Sequence, residues 1–160
     1  MQKDKKISSK ESARASTVAR KIAPRRILVV DDDPDTRQLS VDVLVSANFE
    51  VDAAVDGADG WEALQAKHFD LVITDNTMPR MTGVELIEKL RFSGITIPVI
   101  MATAHMPTLE FIRKPWLRPD VGLITPVSDD ELMAAISSVL HQDDDKDDDI
   151  HPESLLPKYL

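Results

Sequence analysis

Apolar residues in this chain fall into short, β-branched runs separated by stretches with a three-to-four-residue spacing. Ile27-Leu28-Val29-Val30 is apolar at every position, the pattern of a strand covered on both faces. Asp31-Asp32-Asp33-Pro34 ends it, and residues 35–47 read as a helix with Leu39, Val43 and Ala47 on one stripe. A second strand is expected over 51–55. The turn Asp56-Gly57-Ala58-Asp59-Gly60 then leads into a helix over 61–67. Leu71-Val72-Ile73-Thr74 predicts a third strand, closed by Asp75. Residues 79–82 read as a loop, and Gly83 opens a helix with Val84, Ile87 and Leu90 inward. Strands are expected again over 98–102 and 121–124. Pro107, Pro115 and Pro119 lie between them, so any fourth helix is short or displaced. Ser128-Asp129-Asp130-Glu131 is a capping box that starts a last helix carrying Leu132, Met133, Ile136, Val139 and Leu140.

Strand and helix alternate five times within residues 26–141. That alternation predicts right-handed βαβ units, hence an α/β fold with a five-stranded parallel sheet and helices on both faces. Such sheets bind ligands outside the carboxyl ends of their strands. The strand ends here carry Asp31, Asp32 and Asp33 (first), Asp75 (third) and Thr103 (fourth). Carboxylates drawn into one crevice repel one another and recruit a cation. An all-oxygen ligand set suits Mg²⁺ or Mn²⁺. A hard cation, a free carboxylate and a hydroxyl together suit phosphoryl transfer. Solvated acids capping strands would account for one aspartate, but less well for this set.

Composition and charge narrow the classes. The 160 residues include no cysteine, which excludes disulfides, thiol catalysis and Cys-based zinc sites. No apolar run is long enough to span a membrane, and the first 23 residues lack a signal-peptide core, so a cytoplasmic protein without membrane insertion is expected. The net charge of −9 argues against direct DNA binding by the whole chain. That charge is divided. Residues 1–26 hold nine basic and two acidic side chains, a net of +7; residues 141–160 hold seven acids and two lysines, a net of −5. Residues 1–25 therefore read as a disordered basic arm, with a contact to an acidic partner or a transit peptide as alternatives. Residues 26–141 read as the folded domain and 142–160 as a disordered acidic tail.

The stretch Asp75-Asn76-Thr77-Met78-Pro79-Arg80-Met81-Thr82-Gly83 fits the pattern D-x-x-M-P-x-M-x-G at every fixed position. With Ile27-Leu28-Val29-Val30-Asp31-Asp32-Asp33-Pro34 and Thr103-Ala104, it makes residues 26–141 resemble the receiver domain of two-component response regulators. The resemblance implies a flavodoxin-like, doubly wound fold. It implies Asp75 as phosphoacceptor, attacking a phosphohistidine on a sensor histidine kinase or a histidine phosphotransfer protein. Asp31 and Asp32 would hold Mg²⁺ (or Mn²⁺) with Asp75 and the backbone carbonyl of Thr77, and Thr103 would bind the phosphoryl group and act as the switch.

Two positions depart from the family. Its lysine after the fifth strand is Thr125 here, followed by Pro126, and its switch aromatic is Gly122. Lys114-Pro115 is rejected as the missing pair, because residues 127–140 give the last helix its place directly after Thr125-Pro126 and Lys114-Pro115 lies within the preceding helical segment. His105 stands where the family tunes phosphoryl lifetime, which implies a part in dephosphorylation; neutral surface decoration is the plainer reading. Trp116 reads as a partner-facing or packing side chain and Trp61 as packing.

The expected function is that of a single-domain response regulator in a phosphorelay, signalling through protein contact. It would be a phosphoacceptor with slow self-dephosphorylation rather than a turnover enzyme. The alternative is a phosphorylation-independent, receiver-like interaction module, motivated by Thr125 and Gly122. A small Mg²⁺-dependent phosphatase is disfavoured, because Thr77 occupies the second place of the D-x-D such an enzyme needs.

Overall fold

A computed structural model describes residues 23–147. Five strands form one parallel sheet: β1 (Arg26–Val30), β2 (Glu50–Ala54), β3 (Leu71–Thr74), β4 (Val99–Thr103) and β5 (Val121–Ile124). Their spatial order is β2-β1-β3-β4-β5. The helices between and after them are α1 (Pro34–Ser46), α2 (Gly57–Ala66), α3 (Gly83–Phe92), α4 (Thr108–Arg113) and α5 (Asp129–Asp147), with a 3₁₀ turn at Pro115–Leu117. This is the flavodoxin-like order, and its direction reverses between β1 and β3. The α/β reading with a five-stranded parallel sheet holds.

Alternate residues of the inner strands feed two separate cores, as period-two geometry requires. Leu28, Val30 and Val72 face α2, α3 and α4 through Leu64, Leu86, Ile87, Leu90 and Phe111. Ile27, Val29, Leu71 and Ile73 face α1 and α5 through Leu44, Ile136 and Val139. Both faces of β1 and β3 are therefore dry, and the ends of these two strands meet at the centre of the sheet's carboxyl edge.

Four expectations change. The α1 stripe is shifted: Leu44 is fully buried, whereas Leu39 is 66% exposed. Only a narrow strip of α1 meets the sheet, so Leu39 falls beyond its border. Helix α2 begins at Gly57, four residues before the expected start. Asp56 is its N-cap, accepting from the Asp59 backbone N–H at 3.0 Å, so the Asp-Gly turn is a helix start. Thr103 is the last residue of β4 rather than the first beyond it. Helix α5 continues to Asp147, past the expected boundary at 141. No glycine or proline interrupts that segment, and extending a nucleated helix is easier than starting one. The basic arm up to residue 22 and the tail from residue 148 lie outside the described residues.

The expected break between β4 and β5 is present as the short α4 and the 3₁₀ turn. The Ser128–Glu131 capping box forms as read, with backbone-to-side-chain bonds of 2.9 and 3.2 Å. Trp61 packs partly buried against the α2–α4 core, with the Lys89 ammonium 5.5 Å from its ring centre, while Trp116 is exposed. Among the described residues no helix is long and apolar enough to cross a membrane.

Candidate functional site at the carboxyl edge of the sheet

Sheet hydrogen bonding continues one residue past β1 and β3 and so fixes the acids there. The Asp31 N–H donates to the Ala54 carbonyl at 3.2 Å, and the Asp75 N–H donates to the Val30 carbonyl at 3.0 Å. Carboxylate oxygens of Asp31, Asp32 and Asp75 all lie within 4.8 Å of one another. Asp33, the third acid of the run, stands outside this triad. It is the N-cap of α1 and accepts from the Thr36 N–H at 2.8 Å, with Pro34 opening the helix. Its carboxyl is held below the ordinary range by the backbone and side-chain donors of Thr36.

Asp31 has the opposite fate. Burial pushes its pKa up to about 6, and the nearby Asp75 and Asp32 charges add to the rise. The Asp33 backbone N–H, 2.9 Å from its Oδ1, opposes them only in part. A raised acid beside two others marks a place where negative charge is in excess. Its oxygen-only donors fit a hard divalent cation. A cation there would be held by Asp31, Asp32 and Asp75. Thr77, whose carbonyl the sequence reading adds to this set, lines the same crevice.

The loop after β3 is braced from two sides. Gly83 and Asn76 tie it to α3: the Gly83 N–H donates to the Asn76 carbonyl at 3.0 Å and the Val84 N–H to the Asn76 side-chain oxygen at 3.1 Å. A Cβ on Gly83 would run into the Asp75 carbonyl oxygen. On the other side Arg80 reaches α2. Its guanidinium grips the buried Asp56 with two bonds, at 2.5 and 3.0 Å, and Asp59 at 2.5 Å. Arg80 takes a left-handed backbone (φ 64°), and this ion pair helps hold it there. The guanidinium keeps the Asp56 carboxyl below its ordinary range. The Gly57 N–H also donates to the Met81 carbonyl at 3.3 Å. Sequence reasoning passed over Arg80, Asp56 and Asn76. The pairs lie in different loops, and no local spacing reports a contact between them.

Thr103 is 1% exposed at the end of β4. Its carbonyl accepts from the Thr125 N–H at 3.1 Å, which brings β5's end beside it. Thr103, Thr125 and His105 line the same crevice as Asp31, Asp75 and Thr77, so six of the expected site residues share one space. The Thr125–Pro126 peptide is cis. Lys114 is elsewhere, paired with Glu88 of α3 at 3.2 Å, in keeping with its rejection as the missing lysine. Gly122 lies on edge strand β5, under the side chain of Met106, and a Cβ there would stand 2.8 Å from the Met106 methyl. A second cavity, of about 420 Å³, runs from Asp75 and Thr125 between α1 and α5, walled by Leu39, Val43, Val127 and Leu132.

Fold and site together define a doubly wound α/β domain with an acidic crevice at its switch point. Residues 27–137 match the family described as the response regulator receiver domain. The chain belongs to that family. It is 32% identical over 111 residues to the transcriptional regulatory protein DltR of Streptococcus agalactiae, covering 69% of this chain and 50% of that protein. It is 43% identical over 79 residues to the sensor histidine kinase RcsC of Escherichia coli, covering 49% of this chain and 8% of the kinase. The chain thus spans half or less of the length of these relatives. Among solved structures it is similar to the chemotaxis protein CheY4 of Vibrio cholerae, with a TM-score of 0.68, 28% identity, and 74% and 100% of the two chains covered. It is also similar to the response regulator TrrA of Thermotoga maritima in complex with Mg²⁺ and BeF, with a TM-score of 0.64, 29% identity, and 72% and 99% covered.

Proposed function

We propose that this chain accepts a phosphoryl group on Asp75 from a phosphohistidine of a sensor kinase or histidine phosphotransfer protein, and signals through protein contacts. The observation that carries the reading is the triad of Asp31, Asp32 and Asp75 at the ends of the two central strands, with oxygens within 4.8 Å. The Mg²⁺ in the similar structure of TrrA supports a divalent cation here. Bound Mg²⁺ would neutralise charge on the phosphoryl oxygens.

The chain's own residues position the reaction. Asp75, tethered by the Asn76 N–H at 2.6 Å from its Oδ1, presents its carboxylate to phosphorus. The new O–P bond forms as the P–N bond of the donor breaks, and the leaving imidazole keeps that electron pair and takes a proton from solvent. Asp31 and Asp32 would hold the cation, and Thr103 would offer a hydroxyl to the transferred group. In such transfers positioning and charge neutralisation supply most of the catalysis. On this reading the chain is a phosphoacceptor that loses its phosphoryl group by slow hydrolysis, not a turnover enzyme.

Incubation of the full chain with Mg²⁺ and acetyl phosphate tests it. We expect a mass gain of one phosphoryl group, mapped to Asp75 and lost in Asp75→Asn and on chelation of Mg²⁺. A wild type that stays unmodified, with partner binding indifferent to Asp75→Ala, would favour the second reading, a phosphorylation-independent interaction module. Thr125 and Gly122 are the observations that favour it.

A further inference from the structure

The crevice over Asp75 on the β4 side measures about 350 Å³. Four strand-end loops wall it: Asp31 and Asp33 after β1, Asp75 after β3, Thr103 and His105 at and after β4, and Thr125 after β5. Three of these six are carboxylates. A phosphoryl group entering here adds more negative charge and gains from a donor that carries the opposite sign. Asp31, Asp33 and Asp75 face the space from the β1 and β3 sides, while β4 and β5 contribute the neutral Thr103 and Thr125. Among the described residues His105 is the one lining side chain able to carry positive charge.

Among the described residues, Arg37, Lys114 and Arg80 are engaged elsewhere. The Arg37 guanidinium donates to the Asp31 backbone carbonyl at 2.7 Å, and Arg37 does not line the crevice. Lys114 is paired with Glu88, and Arg80 with Asp56 and Asp59. His105 is exposed, so it meets an incoming group without first leaving a buried environment.

We propose that His105 is a catalytic residue, the cationic hydrogen-bond donor to the phosphoryl oxygens on Asp75, in place of the lysine that Thr125 replaces. The proposal rests on Asp75 being the phosphoacceptor. With acetyl phosphate as donor, one Asp75 oxygen bonds to phosphorus as the bond from phosphorus to the acetyl carboxyl oxygen breaks. Acetate leaves with that electron pair, and no proton moves. The part of His105 is to hold the phosphoryl oxygens through its N–H donors.

The test is a charge-replacement cycle in the full chain with Mg²⁺. It compares wild type, His105→Ala, His105→Lys, Thr125→Lys and the Thr125→Lys/His105→Ala double variant. Two quantities are read: the rate of modification by acetyl phosphate, and the affinity for beryllofluoride, followed by thermal shift. We expect His105→Ala to lower both by about tenfold, the size of a lost charge-assisted hydrogen bond. His105→Lys should match or exceed wild type. In the Thr125→Lys background, His105→Ala should cost less than about twofold, because the new ammonium makes the imidazole redundant.

Equal behaviour of His105→Ala and wild type would overturn the proposal. So would a deficit of the same size in both backgrounds that lysine at 105 does not restore, since that is the mark of a merely structural role. A wild type that takes up neither reagent would overturn the reading of Asp75 and His105 together. Normal wild-type uptake with an indifferent His105→Ala would remove His105 alone.

Discussion

Asp31 binds its proton more tightly in the folded chain, near pH 6, than an ordinary aspartate does near 3.8. The folded state therefore holds more protons than the unfolded state across that window. The sign follows from linkage: Asp31's contribution to stability is full below the unfolded pKa and falls as pH rises through about 6. In a chelator-treated sample Asp31→Asn is expected to raise the melting temperature at neutral pH and to flatten this part of the pH profile; melts at about pH 5 and pH 7 check both. A divalent cation binds the charged carboxylate, so Mg²⁺ affinity should weaken as pH drops below about 6, read by titration calorimetry. A second residue-scale case is Gly122. The atom its Cβ would meet is the far end of a flexible methionine. Gly122→Ala should change stability by less than about 1 kcal/mol, measured by urea unfolding, because Met106 can turn aside.

At the scale of elements, the loop after β3 is the part with least freedom. Gly83 sits where α3 presses on the Asp75 carbonyl, so a methyl group there must displace either the helix or the acceptor strand. Gly83→Ala is expected to destabilise by about 1–3 kcal/mol and to slow modification of Asp75, seen in paired unfolding and acetyl phosphate assays. The Arg80 grip on Asp56 and Asp59 latches the same loop to the start of α2. Arg80→Ala leaves the buried Asp56 without its guanidinium. It should lower the melting temperature and weaken Mg²⁺ binding, because Thr77 stands in the freed loop. At the far end of the chain, Ser128→Ala removes one half of the α5 capping box and should cost about 1 kcal/mol with the crevice unaffected.

For the whole molecule, two dry cores on opposite faces of one sheet hold β1 and β3 from both sides. The acids at their ends are thereby held together against their mutual repulsion. A ligand that binds only this arrangement stabilises the entire domain. Mg²⁺ at a hundredfold excess over its Kd should add about 2.7 kcal/mol to unfolding, and Asp75→Asn should weaken that gain. Much of this architecture was legible beforehand. β1 and β3 are buried on both faces and so read as unbroken apolar runs, and the capping box is a local signal four residues long. The misread parts were those where neighbours decide. Leu39 and Leu44 both fit a helical stripe, and only the line of contact with the sheet separates them. Asp56-Gly57 fits a turn as well as a helix start, until Arg80 and Met81 pack against it.

The sequence by itself determined the alternation of strands and helices, the acids at the strand ends, and the two positions, Gly122 and Thr125, that depart from the family. Local periodicity and motif chemistry suffice for these, because each is written within a few consecutive residues. Tertiary structure supplied the geometry by which the acids converge. Asp33 caps α1, while Asp31, Asp32 and Asp75, the set that the resemblance implies, come together across 44 residues of chain. It alone decided that Arg80 braces the β3 loop and that Met106 covers Gly122, and it set His105 in one crevice with Asp75, near which the resemblance had placed it. Contacts between segments far apart in the chain depend on strand order and helix placement, which set distances that residue spacing does not encode.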